Sequence, residues 1–503
     1  MRFSRRDVMG LVAPLCAAAM PTPTAFAQRP HDPRHGEFQM VQTRIGRLGF
    51  ELGMPTHDTV AKLYDEMDFQ RAVQCYLWAT PIVGMQGVRE ALADNAGAVA
   101  GDLVVVEGYR DVSVMLGSNL TTPYFFVALD LAASGPVVME YPAGATGSSL
   151  IDWWDRPIAD LGLAGADKGE GATLIIVGPG QEVPRDVPAT SRVLTSRTFG
   201  VLLFGRVLEP DGQKARAMLG ELRAYPHSRR AEAPRTRLLR FRKDGTLTGM
   251  GHPRGMAYWR RLANALRSEV VEDRDRFFAA MLKPLGIEKG QAFAPTHRQQ
   301  ALLDEAAVVG EAMARAAAFD KRFPRMRYRD DAQWEFLIPP DMDFAQDVGD
   351  STLFEERTAF FYEVMGASQA VLTTTPGVGS AYLSAYHDRD GHALDGGRRY
   401  RLHVPANPPA KLFWSVTLYD AQTRCLVQNP RQIADRSSRQ DLLKNPDGSV
   451  EIMFGPTPPA GREKNWIPTE PGKAWFAYFR LFGPLEGYFD RSWRLGDIEM
   501  MAG

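Results

Sequence analysis

Residues 411–420 read KLFWSVTLYD, a stretch whose alternation of apolar and mixed positions predicts a β-strand. Successive side chains of a strand point to opposite faces, so this segment has two different surfaces. The apolar surface consists of Leu412, Trp414, Val416 and Leu418. The mixed surface consists of Phe413, Ser415, Thr417 and Tyr419. We expect the apolar surface to lie in a sandwich core, where Trp414 needs no ligand, and at most Tyr419 to belong to a site.

Strand-like segments and hairpin turn signals surround this stretch and predict a β-rich region over residues 371–503. One face of AWFAYFRLFG (474–483) carries Phe476, Tyr478, Arg480 and Phe482. If Arg480 is covered, it must pair with a carboxylate or stack on a ring. Two interpretations follow: an amphipathic sheet whose polar face meets water or helices, or a cleft into which His403, Tyr419 and Arg480 point.

The preceding chain predicts two further regions. Helical periodicity followed by short β-rich runs, such as PYFFVALDL and VLLFGRVL, occupies residues 55–250. Residues 251–370 are mainly helical in pattern, for example QQALLDEAAVVGEAMARAAA (299–318). We therefore expect an α+β fold, with two β-rich domains of jelly-roll or sandwich type separated by a helical region.

The first 27 residues have the pattern of an export signal. A basic start, a short apolar run and the triplet Ala25-Phe26-Ala27 are typical of a cleaved secretory segment. Arg5 and Arg6 stand in Ser-Arg-Arg-x-x-Met, the pattern of the twin-arginine address, although an ordinary secretory signal is the alternative. We expect a periplasmic or secreted protein that begins near Gln28.

Charge and motifs exclude several functions. With 59 basic and 60 acidic residues and no basic run, the chain has no footprint for nucleic acid or for anionic membrane. The apolar run near the start is too short to span a bilayer, so stable membrane insertion is not expected. HExxH, G-x-S-x-G and Walker A motifs are absent from the sequence. No cofactor is indicated, and a homo-oligomer is compatible with the sequence.

HDRDGH (387–392) is the most metal-like string of the chain, because two histidines and two aspartates could hold zinc or calcium. It also lies between two strand-like segments, and Asp and Gly are the residues that a hairpin turn requires. We expect a turn and assign no metal ligand, while a metal-dependent enzyme remains an alternative. Cys75 and Cys425 form either one disulfide or two buried thiols.

The C-terminal third resembles the bacterial domain-of-unknown-function family numbered 1214. The resemblance lies in LHVPANPPAKLFWSVTLYD, LLKNPDGSVEIMFGP, NWIPTEPG, FRLFGPL and SWRLGDIE. The positions that match the family are Trp414, Tyr419, Asp420, Asp447, Asn465, Trp466 and Arg480.

The first half resembles the usual companion family, numbered 1254, through YLWATPIVGMQG, SNLTTPYFFVALDL, GPVVMEYP and GATLIIVGPG. Asn119, Thr122, Tyr124 and Asp130 match that family, whereas Thr121 stands where an aspartate is usual, so no carboxylate role carries over there. The two resemblances imply a secreted or periplasmic protein with jelly-roll-like β domains and a helical insert. They imply no particular reaction.

Our first functional hypothesis is an exported enzyme that hydrolyses a small organic molecule in a cleft between the β regions. Asp130 would act as acid or base, and Arg480 and Tyr419 would stabilise developing negative charge. The residues expected to bind the substrate are Asn119, Tyr124, His403 and Trp466. The alternative is a non-catalytic envelope protein that binds a carbohydrate or a hydrophobic ligand.

Overall fold

The computed structural model describes residues 38–242, 244–339, 344 and 346–501 of the 503-residue chain, the side chains of 347 and 348 excepted. The predicted export signal lies outside these residues. The chain divides into two compact units, Met1–Tyr64 and Asp65–Gly503. In the first unit, strands β1 (Gln39–Thr43), β2 (Gly46–Glu51) and β3 (Met54–Pro55) form an antiparallel sheet.

The elements of the first half begin with a long helix and continue with short strands. In chain order they are α1 (His57–Ala96), β4 (Leu103–Val106), α2 (Tyr109–Val112), β5 (Tyr124–Asp130), α3 (Leu131–Ser134), β6 (Val137–Tyr141), β7 (Thr146–Asp152), β8 (Pro157–Gly162), β9 (Ala172–Val177), β10 (Arg192–Thr195), β11 (Gly200–Val207), α4 (Gly212–Gly220), β12 (Arg223–Pro226) and β13 (Leu238–Arg240).

The middle of the chain is mainly helical. Its elements are α5 (Met256–Ser268), α6 (Arg276–Leu282), α7 (His297–Phe319), β14 (Glu335–Phe336), β15 (Asp347–Val348), β16 (Ser351–Thr352) and α8 (Phe354–Glu363). The last part returns to strands. Its elements are β17 (Ser380–Ala385), β18 (Tyr400–Val404), β19 (Ala410–Asp420), β20 (Asp435–Ser437), β21 (Val450–Gly455), β22 (Trp466–Pro468), β23 (Trp475–Pro484), α9 (Glu486–Phe489) and β24 (Ile498–Met500).

Four larger sheets organise the second unit, beside a two-stranded sheet of β15 and β16. The first-half strands form a six-stranded sheet, β13-β4-β5-β11-β7-β8, and a four-stranded sheet, β10-β9-β6-β12. The last-part strands form a five-stranded sheet, β14-β17-β23-β19-β20, and a four-stranded sheet, β22-β21-β18-β24. These open sheets together with the helices confirm the predicted α+β class, but the jelly-roll arrangement is not confirmed.

One large hydrophobic core joins helices and sheets of both halves. Trp78 of α1, Phe126 of β5, Trp259 of α5 and Trp414 of β19 all belong to it. Since residues 65–503 form a single compact unit, the predicted boundaries at 250 and 370 stay predictions. Cys75 and Cys425 are free thiols.

The strand predicted at residues 411–420 is β19, but it is buried on both faces. Trp414, Val416 and Leu418 lie in the core as expected, whereas Leu412 is 41% exposed, contrary to the prediction. On the mixed face, Ser415 and Thr417 are fully buried. The surface that covers this polar face therefore decides where a site can lie.

Candidate functional site

Three neighbouring strands of the five-stranded sheet bring polar side chains onto one buried face. Arg480 of β23 is the register partner of Ser415 in β19 and of Tyr382 in β17. Thr417 is likewise opposite Tyr478. Residues directly opposite each other in neighbouring strands share a face. The antiparallel pairing thus gathers these groups around Arg480.

The first half of the chain covers this face with a second arginine. Arg206 of β11 is the register partner of Tyr124 in β5. The Arg206 guanidinium carbon lies 5.7 Å from the centre of the Tyr124 ring and 5.9 Å from that of Tyr382. We call Arg206, Arg480, Tyr124, Tyr382 and Tyr419 the arginine–tyrosine cluster.

Hydrogen bonds connect the two halves within the cluster. Nη2 of Arg480 donates to the Gly117 carbonyl oxygen and to the Tyr419 hydroxyl, both at 2.5 Å. The Tyr419 hydroxyl donates to the carbonyl oxygen of Ser118. Nη2 of Arg206 donates to the Tyr382 hydroxyl. The Tyr124 hydroxyl accepts the Asn119 backbone N–H at 2.9 Å, so the loop before β5 is fixed against the cluster.

Both arginines are buried without a carboxylate partner. Arg480 is 0% and Arg206 9% exposed, and no carboxylate in the described residues forms a salt bridge with either. The groups that act most strongly on both guanidinium charges are tyrosines. Burial alone would raise the pKa of Tyr382, but Arg206 and Arg480 together lower it below the usual value. The cluster therefore carries excess positive charge away from water.

Several donors of this face have no acceptor. In the part of the chain that the structure describes, Nη1 of Arg206, Nε and Nη1 of Arg480 and Nδ2 of Asn119 are buried without a hydrogen-bond partner. The Ser415 and Thr417 hydroxyls are in the same state. Buried polar groups are normally satisfied, because an unmade hydrogen bond costs about 1–3 kcal/mol. This donor set fits an anionic acceptor.

Asp435 is the carboxylate that acts on Arg480 from nearby, but its oxygens are engaged. Its Oδ2 accepts hydrogen bonds from the Leu120 N–H and the Thr121 hydroxyl, each at 3.1 Å. Burial raises its pKa, and these bonds oppose the rise. Its charge is also shared with Arg436. At the position where an aspartate is usual, Thr121 thus acts as a donor to a buried carboxylate.

A second buried group adjoins the cluster through Tyr478. The Glu363 carboxylate, 1% exposed, accepts hydrogen bonds from the hydroxyls of Tyr478 and of Tyr386, the latter at 3.0 Å. Burial raises the pKa of Glu363 to about 7, and the charge of Lys321 opposes that rise. Lys321 donates to the Tyr386 hydroxyl at 2.8 Å. A carboxyl group with such a pKa can exchange a proton near neutral pH.

The structure brings four of the predicted site residues together and leaves three elsewhere. Asn119, Tyr124, Tyr419 and Arg480 meet at the cluster. Asp130 lies at the other end of β5, about 20 Å away from Tyr124 at the usual rise of a strand. Its carboxylate caps α3 by accepting the Ala133 N–H at 3.2 Å. It therefore cannot act on a ligand held by the arginines.

His403 and Trp466 also lie outside the cluster. His403 is on the exposed face of β18, where its Nδ1 lies 2.6 Å from Oε1 of Glu451. Trp466 is buried in the four-stranded sheet of the last part, and its Nε1 donates to the Gly455 carbonyl at 2.9 Å. Asp420 and Asp447 hold turns by accepting backbone N–H groups two or three residues further on, and the Asn465 side chain donates to the Leu443 carbonyl oxygen.

Arg206, Tyr382 and Glu363 are missing from the sequence prediction. Arg206 stands in VLLFGRVL, a lone cation in an apolar strand, which is the same signal that singled out Arg480. Glu363 follows three aromatic residues in α8 and offers a similar signal. Nothing in the sequence pairs these positions, because their contacts join segments more than a hundred residues apart.

The string HDRDGH forms the predicted turn. The Asp388 carboxylate accepts the backbone N–H groups of Asp390 and His392 at 3.0 and 2.9 Å, and Gly391 has φ 84°. Ligand atoms of Asp388, Asp390 and His392 lie within 4.8 Å of one another, but Asp390 and His392 are exposed.

In the described residues, no helix is both long and apolar enough for a transmembrane segment.

Two family models match the chain. Residues 104–226 match a family described as protein of unknown function (DUF1254), and residues 379–486 match another described as protein of unknown function (DUF1214). The resemblances inferred from sequence segments are thereby confirmed. No curated protein matches the chain.

Two solved structures are similar to this chain at low sequence identity. The VPA0106 protein from Vibrio parahaemolyticus matches with a TM-score of 0.51 and 16% identity, over 86% of this chain and 100% of its own. An uncharacterized protein from Burkholderia cenocepacia has a TM-score of 0.40 and 11% identity, over 88% of this chain and 97% of its own. The first likeness establishes a shared fold and no activity. The chain carries a DUF1254 segment in its first half and a DUF1214 segment in its last third.

Proposed function

We propose that this protein is exported and that it binds a small organic anion in the arginine–tyrosine cluster. The observation that supports this proposal is the pair of buried arginines, Arg206 and Arg480, with unpaired donors and no carboxylate partner. Burying an unpaired charge is costly by several kcal/mol, so such a pair needs another reason to persist. An anion on the free N–H groups supplies both charge and hydrogen bonds.

Internal groups do not neutralise this charge. Ionisation of Tyr382 would compensate only one of the two guanidinium groups. Asp435 already accepts from Leu120 and Thr121, and its charge is shared with Arg436. A carboxylate or a similar anion would supply the negative charge that Arg206 and Arg480 lack.

We further propose that the protein hydrolyses its ligand. The observation favouring turnover over binding alone is Glu363, whose pKa near 7 suits proton exchange and whose carboxylate bonds the Tyr478 hydroxyl beside the cluster. In this hypothesis Tyr478 transfers a proton between Glu363 and the reacting water, while the arginines stabilise the anionic oxygen. A non-catalytic binding protein would use the arginines without Glu363.

Isothermal titration calorimetry of residues 28–503 with a panel of small carboxylates tests the anion site. We expect binding to weaken about 10- to 100-fold in Arg480→Met and in Arg206→Met, because each substitution removes a charged hydrogen-bond donor. Arg401→Met is the matched control, since Arg401 pairs with Glu499 on the outer face of β18. Equal affinity of all four proteins, or no binding by any anion, would refute the site.

Turnover has its own test. Ester and amide derivatives of the acids that bind would be incubated with the wild type and with Glu363→Gln and Tyr478→Phe. We expect hydrolysis to fall at least about 100-fold in both variants while affinity for the acid stays within about threefold. Hydrolysis that is unaffected by both substitutions would remove Glu363 from the mechanism, and absence of hydrolysis would leave the binding function alone.

Export rests on the sequence of residues 1–27. Replacing Arg5 and Arg6 by lysine should leave the full-length protein in the cytoplasmic fraction if the twin-arginine route is used. Unchanged periplasmic recovery of that variant would favour the ordinary secretory signal.

A further inference from the structure

A pocket of about 130 Å³ begins at Arg206 and leads to the surface. Its exposed lining residues are Leu163, Lys411 and Leu412, and the two leucines, 37% and 41% exposed, mark its opening. Exposed apolar side chains that flank a cavity are typical of a ligand entrance.

The walls of this pocket are apolar apart from a few groups. The apolar side chains include Leu163, Phe204, Leu208, Val371, Leu412 and Phe482. The cation in the interior is Arg206, whose guanidinium carbon lies 5.1 Å from the centre of the Phe482 ring. The same guanidinium bonds Tyr382 in the cluster. Arg206 therefore joins the polar cluster to an apolar pocket.

Glycines keep one wall of the pocket open. Gly483 has φ 63°, and a Cβ atom there would lie 3.0 Å from the Lys411 Cβ. The Gly483 N–H donates to the Gly379 carbonyl at 2.8 Å, and the Gly377 N–H donates to the Pro484 carbonyl at 2.6 Å. A side chain at Gly483 would be strained, so the backbone shapes this part of the wall.

We infer that the ligand is a carboxylic acid with one aromatic ring or a short hydrocarbon chain. Its carboxylate would meet the Arg206 guanidinium where this residue lines the pocket, and its hydrocarbon part would fill the pocket, which deepens the anion-binding function proposed above. The size supports this class, because an apolar cavity of about 150 Å³ accepts benzene in another protein. Simple inorganic anions would leave the apolar walls unused.

Calorimetry with sodium benzoate, hexanoate, acetate, inorganic phosphate and neutral benzamide tests the ligand class on residues 28–503. We expect benzoate and hexanoate to bind at least about tenfold tighter than acetate, since each buried CH₂ group adds about a factor of four. We also expect benzoate to bind at least about tenfold tighter than benzamide, because only the carboxylate pairs with Arg206.

Filling the pocket should erase the hydrocarbon preference. Ala164 lines the pocket at a half-buried position, and Ala164→Phe places a ring inside it. We expect this variant to keep acetate affinity within about threefold and to lose the preference for benzoate. Val371→Phe provides a second filling variant should the first fail to fold. Val193→Phe is the matched control, because Val193 is exposed on β10 and does not line the pocket.

The outcomes separate the two proposals. Arg206-dependent binding of acetate or phosphate without any gain for benzoate would overturn the ligand class and leave the anion site standing. Equal binding of benzamide and benzoate would overturn the carboxylate assignment. Absence of Arg206-dependent anion binding would overturn the anion site and, with it, the ligand class.

Discussion

Arg206 and Arg156 are both buried arginines, but only one of them has carboxylate partners. Arg156 pairs with Asp152 at 2.7 Å and with Glu272. Arg206 has a tyrosine hydroxyl as its hydrogen-bond partner. A buried charge without a partner destabilises the ligand-free protein. Removing one partner of a buried ion pair also destabilises the protein, because it leaves the other charge unpaired.

This contrast predicts opposite effects of the same substitution. Arg206→Met should leave the free energy of unfolding of the ligand-free protein unchanged or raise it by about 1–2 kcal/mol. Arg156→Met should lower it by about 3–5 kcal/mol, because Asp152 is left buried without its partner. Urea unfolding of both variants and the wild type measures the difference. A loss in Arg206→Met as large as in Arg156→Met would show that Arg206 is structural.

Thr121 offers a second test at the scale of one residue. Thr121→Asp would set a carboxylate against that of Asp435, where the Thr121 hydroxyl now donates. Like charges raise the pKa of one group of the pair, so the cost, about 1–3 kcal/mol, should be present at neutral pH and shrink on acidification. Urea unfolding at neutral and acidic pH checks both. Thr121→Asn, which keeps a donor, should cost less, and a cost independent of pH would contradict the repulsion.

At this scale, residue chemistry predicted part of the cluster. Arg480 stood out because a cation within an aromatic strand requires an explanation, and Tyr419 followed from the alternation of β19. Asp130 fitted the same logic, yet its carboxylate caps α3. Whether an acidic residue at a strand end faces a ligand or a helix terminus depends on the next turn of the chain, which alternation does not specify.

At the scale of elements, the packing of α7 on α1 depends on a missing side chain. The sequence predicted a helix at residues 299–318, and in α7 the residues Leu303, Ala306 and Gly310 are buried, whereas Met313 is 47% exposed. A Cβ atom on Gly310 would lie 2.5 Å from the ring of Tyr76 in α1. The two helices can approach closely because position 310 has no side chain.

Gly310→Ala should therefore destabilise the protein although alanine favours helices. We expect a loss of about 1–3 kcal/mol in the free energy of unfolding, because the clash with Tyr76 outweighs the propensity gain of about 1 kcal/mol. Gly212→Ala in α4, where a Cβ atom meets nothing within 4 Å, is the matched control and should be neutral or stabilising. Chemical unfolding of both variants decides, and equal effects would show that the helices can separate without cost.

Whether a segment forms a helix or a strand was easier to predict than which other elements pack against it. The strand at residues 411–420 follows from its alternation, and α7 follows from its period of apolar residues. The burial of Ser415 and Thr417 does not follow, because alternation says which residues share a face and not which sheet covers that face. Pairing of distant segments, such as Arg206 with Tyr382, is set by the whole fold.

At the scale of the whole molecule, the mixed class could be predicted because β-rich and helical patterns alternate in long blocks. The jelly-roll could not, since strand order is a property of long-range pairing that short motifs do not encode. Arg206 of the six-stranded sheet instead bonds Tyr382 of the five-stranded sheet within one compact unit. The buried ionisable groups of that unit should make its stability depend on pH.

Buried groups with opposite pKa shifts contribute to the expected pH dependence of stability. Burial, aided by Arg424, lowers the pKa of His252 from 6.5 to about 3, so its contribution is present above about pH 6.5 and is lost as the pH falls toward 3. Burial raises the pKa of Glu363 from 4.5 to about 7, so its contribution is present below about pH 4.5 and is lost as the pH rises through 7. Between these limits the unfolding free energy should pass through a maximum.

Glu363→Gln isolates the alkaline side of this maximum. A neutral amide has no proton to lose, so the variant should lose less stability than the wild type between about pH 5 and about pH 8, by up to about 3 kcal/mol. Urea unfolding at several pH values in this range measures the two slopes.

Asp155→Asn is the comparison, because burial also raises the pKa of Asp155 to about 7. The Asp155 carboxylate accepts the backbone N–H groups of Gly366 and Ala367 and bonds no tyrosine of the cluster. Both variants should flatten the stability profile, but only Glu363→Gln should also flatten the pH profile of turnover, since Glu363 alone reaches the cluster through Tyr478. Identical slopes in wild type and Glu363→Gln would mean that Glu363 stays ionised in the fold and has no proton to exchange near neutral pH.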